Sequence, residues 1–135
     1  MARSPSRRKA FALAVVLGIV VAACGGSDDT SDGIPVQNSD LVASGDALYQ
    51  ANCAACHGSD LRGTDKGPSH LSIVYEPSHH GDQAFVVAAR VGVRTHHWDF
   101  GNMAPVEGLS DNDLTAIIAF VRETQRIEGF EPYPP

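Results

Sequence analysis

The chain has 135 residues, with 16 acidic and 10 basic side chains and a formal net charge of −6. That is one domain's length with room for appendages, and its acidic balance argues against nucleic acid or a bare anionic membrane surface as a partner. Three cysteines are too few for the disulfide framework of a secreted mini-protein.

At the N-terminus a basic segment, "RSPSRRK", precedes an uncharged apolar run over residues 10–23, which is the pattern of an export signal. The run has 14 residues, whereas a spanning helix needs about 20, so a permanent transmembrane anchor is the weaker reading. Its end, "VAAC" (Val21 to Cys24), resembles a bacterial lipoprotein processing site. In that family Cys24 becomes the new N-terminus and carries a diacylglycerol, and two acyl chains suffice for stable anchoring. The alternative is ordinary cleavage after Ala23. Arg7 and Arg8 touch on a twin-arginine signal, but Ala10 stands where that motif usually has an aromatic, which favours the general secretory route. Removing the signal takes Arg3, Arg7, Arg8 and Lys9 away, leaving 6 basic residues against 16 acidic ones and a net charge of −10.

Residues 24–43 are rich in Gly, Ser and Asp and have no helical or strand period. They are expected to form a flexible acidic tether, roughly 25 Å long as a coil and about 60–70 Å when stretched. The folded part is expected to begin at Ser44 and run to residue 130, with 131–135 as a tail. "SGDALYQANCAACHG" predicts a helix capped by Ser44, with Leu48, Ala51 and Ala55 as its apolar stripe, running into Gly58. A Gly- and Pro-rich loop follows. "DQAFVVAARVGV", residues 82–93, predicts a short helix. After a second loop, "SDNDLTAIIAFVRETQR" predicts the clearest helix. Ser110 caps it, Asp113 stands at the capping-box position, and Leu114, Ile117, Ile118 and Val121 repeat at helical spacing. "EPYPP" cannot continue it. The fold class is therefore all-α, with three modest helices, two long loops and a thin core that a large apolar cofactor would fill.

The chemistry concentrates in "CAACH", Cys53 to His57. Three readings compete. A redox disulfide of the thioredoxin kind needs a strand before the first cysteine, and none is convincing here. A zinc site needs four ligands, and no second Cys-x-x-Cys follows, although His79, His80, His96 and His97 are candidates. Haem attachment explains the spacing, since each thiol adds across one vinyl group and the next residue offers an imidazole to the iron. A sixth ligand would then be sought downstream. Met103 is the only methionine besides Met1. It lies in a Gly/Pro-flanked loop, which favours axial ligation over core filling.

On these residues the chain resembles a bacterial class I, mitochondrial-type monohaem c-type cytochrome over residues 44–127. "GDALYQANCAACHG" is similar to the family's first helix and haem-binding segment, "KGPSHL" to its Gly-Pro-x-x-Leu stretch, and "NMAPVEGLSDNDLTAIIAFVR" to its Met loop and last helix. The resemblance implies a small cytochrome c fold. Its terminal helices cross, its middle helix is short, and its loops wrap one covalent haem c held by Cys53 and Cys56. His57 and Met103 would be the axial ligands, and the Pro68 carbonyl would accept a hydrogen bond from His57. The paired histidines depart from the family pattern. They are expected to be polar loop residues at the haem edge, with replacement of Met103 by His96 or His97, or a second metal such as copper, as the sharper alternatives. Trp98 is expected near the haem or in ordinary core.

The reading that follows is an electron carrier in a respiratory or related redox chain, not an enzyme, exported and tethered through Cys24 to the outer face of the cytoplasmic membrane or on the periplasmic side. It would dock by its negative charge on a basic patch of an oxidase, reductase or dehydrogenase. The rivals are a haem-bearing relay subunit of an oxidoreductase complex and a ligand-sensing haem domain.

Overall fold

The structure is a computed structural model that describes residues 33–132. The export signal, Cys24 and the last three residues lie outside this range. Four helices, α1 (Ser39–Asn52), α2 (Ala54–His57), α3 (Asp82–Val91) and α4 (Asp111–Glu128), and one 3-10 turn (Ile73–Tyr75) follow in chain order. No strand forms among the described residues, and isolated bridges join Ser72 with Glu131 and Val93 with Met103. The expected all-α class holds. No helix among the described residues is long and apolar enough to cross a membrane.

The first helix begins at Ser39, not Ser44. Asn38 caps it, its side chain accepting from the backbone N–H groups of Asp40 and Leu41 at 3.0 and 3.1 Å. Nothing between Ser39 and Ser44 breaks a helix, and Ser44 is an ordinary exposed helical residue. Part of the expected tether therefore belongs to the fold. Ile34 is 1% exposed, and the Gln37 N–H donates to Glu123 on α4 at 3.1 Å. The expected apolar stripe also shifts. Ala51 and Ala55 are exposed, while the buried face of α1 is Gly45 and Tyr49. The helix breaks at Cys53, which separates α1 from the single turn α2.

α4 matches expectation closely. Ser110 and Asp113 form a reciprocal capping box, and Leu114, Ile117, Ile118 and Val121 are buried. α1 packs across α4 with Gly45 against the Ala116 backbone, so close that a Cβ at Gly45 would lie 1.9 Å from the Ala116 carbonyl oxygen. The core cluster joins Tyr49, Leu61, Leu71, Ala89, Leu114, Ile117 and Val121. The expected tail at residue 131 is also tied in. The Glu131 N–H donates to the Leu71 carbonyl at 2.7 Å, and the Ile73 N–H donates to that of Glu131 at 2.8 Å. The loops thus fasten onto α4 and onto the chain that leaves it.

One buried cation organises this fastening. Arg122, 3% exposed, donates from Nη1 to the Tyr75 carbonyl and to Gln125, and from Nη2 to the His80 carbonyl, each at 2.7 Å. Its Nε pairs with Asp82 at 2.7 Å. Arg122 therefore holds the loop before α3, and the start of α3 itself, against α4. Such a charge is tolerable in a core because Asp82 pairs with it and four of its five N–H groups reach acceptors.

Candidate functional site

The break at Cys53 turns the chain so that Cys53, Cys56 and His57 all border one cavity of about 820 Å³, within the range of organic-cofactor sites. Its walls are mainly apolar, with Phe85 and Ala88 from α3 and Leu114, Ile117 and Val121 from α4. The core is thin because this space runs into it.

Cys53 is half-buried and Cys56 exposed, and both are free thiols. Burial, with a smaller contribution from Cys56, pushes the Cys53 thiol up to about 11. His57 is buried, and that burial lowers its pKa against the opposing hydrogen bond to Pro68. Its Nδ1 lies 3.0 Å from the Pro68 carbonyl oxygen. A carbonyl can only accept, so Nδ1 carries the proton and Nε2 keeps its lone pair for a ligand. The Pro68 loop reaches His57 because Gly67 has no side chain: a Cβ there would sit 3.0 Å from the Cys56 carbonyl oxygen and 3.3 Å from the His57 ring. Thr64 closes the loop, its hydroxyl donating to the Cys56 carbonyl at 2.7 Å.

Met103 lines the same cavity from the loop between α3 and α4. Its backbone is pinned by paired hydrogen bonds with Val93, each 3.0 Å. The side chain is half-buried. Trp98 also lines the cavity and stacks on Tyr75 with ring centroids 6.0 Å apart.

His70 was not singled out in the sequence. Its ring stacks on His57 at 4.1 Å between centroids, and its Nδ1 lies 3.3 Å from the Tyr49 hydroxyl. Burial, then the charges of His57 and Arg122, lower its pKa well below the ordinary histidine value. One local signal was there to read: His70 follows Gly67 and Pro68 in "KGPSHL". Its burial, however, depends on Tyr49 and Gln125, which are distant in sequence.

The two histidine pairs come together. His79 and His80 from one loop face His96 and His97 from the other, with His79–His97 and His80–His97 ring centroids 5.3 and 5.2 Å apart. His80, His96 and His97 border the cavity. Burial first, and then the neighbouring imidazoles, lower the pKa of His97, and burial likewise leads for His80.

A family model described as Cytochrome c matches residues 42–125, more than half of the chain, from within α1 to within α4. The chain is also 28% identical over 116 residues to a Bacillus subtilis (strain 168) protein named cytochrome c-551, covering 84% of this chain and 92% of that one.

Proposed function

Because the chain belongs to the cytochrome c family, whose haem serves electron transfer, we propose that it is a one-haem, membrane-tethered electron carrier with His57 and Met103 as axial ligands. The supporting observation is that His57, at the end of α2 and oriented by Pro68, and Met103, the only methionine besides Met1, from the loop between α3 and α4, border one apolar cavity.

The residues present fit a c-type haem. Cys53 and Cys56 would hold it through thioethers, and the apolar walls from α3 and α4 would exclude water from its faces. The bound group supplies reversible one-electron iron chemistry. The chain's own work is positional. Pro68 keeps Nδ1 of His57 protonated, so Nε2 remains the ligand nitrogen. The bridge to Val93 holds the Met103 loop. A His/Met pair raises the reduction potential relative to a bis-His pair. No residue is required as a general acid or base, and the acidic mature chain suits a basic docking patch on an oxidase, reductase or dehydrogenase.

Export and lipidation at Cys24 complete the proposal. Only eight residues lie between Cys24 and Gly33, so the fold would stay within about 30 Å of the acylated end.

The test is the optical spectrum of the exported protein and of M103A. The wild type should show a c-type haem with the weak sulfur-to-iron charge-transfer band at the red edge of the visible. M103A should lose the band and fall in potential. An M103A spectrum identical to wild type would overturn Met103 ligation and move the sixth position to His96 or His97, which border the same cavity.

A further inference from the structure

We propose that His79, His80 and His97 form a second metal site, separate from the iron, that binds one divalent first-row transition ion at the rim of the haem cavity. One ring nitrogen from each of the three lies within 4.8 Å of the other two. His79 Nε2 and His97 Nε2 are 3.4 Å apart. Two nitrogens on a tetrahedral zinc ion, each 2.0–2.1 Å from it, stand about 3.3–3.4 Å apart. This pair is therefore already at the separation that a shared ion requires, and a nitrogen of His80 lies within 4.8 Å of both.

The third ligand is prepared as metal-bound histidines usually are. His80 Nδ1 lies 2.8 Å from the Val74 carbonyl oxygen, so it donates there and Nε2 keeps the lone pair. The His80 backbone is fixed as well, since its carbonyl accepts from the buried Arg122 at 2.7 Å. His96 stands next to the cluster, its ring centroid 4.4 Å from that of His97, and can supply a fourth nitrogen where water does not. A set of neutral imidazoles selects zinc, copper or nickel and disfavours magnesium and calcium, which prefer oxygen.

Such an ion would tie the loop before α3 to the loop that leads to Met103. Both loops carry walls of the cavity. The Tyr75–Trp98 stack already joins the same two loops, and the ion would add a second clasp beside it.

The experiment is calorimetric titration of zinc into the haem-loaded full chain, stripped beforehand with chelator, near neutral pH. Zinc is chosen because it exchanges no electrons with the haem iron. One ion should bind per chain, with an unchanged haem spectrum and a raised Tm. H79A and H97A should each weaken binding by about tenfold or more. Absence of saturable one-to-one binding, or affinity unchanged in both variants, would overturn the site. If H97A does not fold, H79A decides alone, because His79 is exposed. Because His97 is also an alternative sixth iron ligand, the haem spectrum of H97A is recorded beside its zinc titration: an unchanged spectrum keeps His97 off the iron, so failure of zinc binding is then distinguishable from failure of the Met103 assignment.

Discussion

Gly45→Ala separates what helix propensity says from what packing says. Gly45 is the seventh residue of α1, and Ala is favoured over Gly in a helix interior by about 1 kcal/mol, so propensity alone expects stabilisation. Packing reverses the sign. The new Cβ would fall 1.9 Å from the Ala116 carbonyl oxygen, 2.6 Å from its carbon and 2.9 Å from Phe120 Cβ. Two of these three atoms are backbone, so no rotamer change relieves the clash, and α1 and α4 must move apart by more than 1 Å. A gap of 0.5–1 Å already forfeits about a quarter to a half of each dispersion contact. The contacts at risk are those of Tyr49, Ile117 and Val121, which share the core cluster. Overpacking of this kind costs about 3 kcal/mol or more. Set against the propensity gain, the net loss is about 2 kcal/mol, or about 8–16 °C in Tm for a domain of this size. The assay is thermal unfolding of the haem-loaded protein followed by circular dichroism, with Ser44→Ala at the exposed neighbouring position as control. A G45A Tm equal to or above wild type would refute the close helix contact.

Replacing both Cys53 and Cys56 with Ala should leave a largely unfolded chain, since burial around the cofactor supplies much of the apolar stabilisation; a cooperative melt with native helix content would contradict this. Arg122→Met should lower stability by about 3 kcal/mol, because it strips donors from the Tyr75 and His80 carbonyls and from Gln125. A shift in urea midpoint worth less than about 1 kcal/mol would show that the Arg122 network is dispensable. His70 is held neutral in the fold by burial, while in the unfolded chain it titrates near its ordinary value of about 6.5. Its contribution is therefore present above that pH and is lost as pH falls below it, because the unfolded state gains the proton. His70→Phe should flatten the pH dependence of stability below about 6.5 by up to about 1.4 kcal/mol per pH unit; an unchanged slope would place His70 in water.

The sequence by itself determined whatever rests on neighbours along the chain. The capping box at Ser110 and Asp113 and the apolar repeat of α4 are local, and both appear as read. The Cys53–Cys56–His57 spacing is also local, because thiols three apart followed by an imidazole reach one ligand within a turn. The boundary at Ser44 failed for a tertiary reason. Asn38 and Ser44 are comparable caps, and what favours the earlier one is the packing of Ile34 and the Gln37–Glu123 contact with a helix some 80 residues away. The tail at Glu131 misread for the same reason, since its partner is Leu71. The burial of His70 and Arg122, and the meeting of His79 and His80 with His96 and His97, rest on contacts between loops. No periodicity encodes such contacts. They exist only once α1 and α4 have closed on each other through Gly45 and left the loops one cavity to surround.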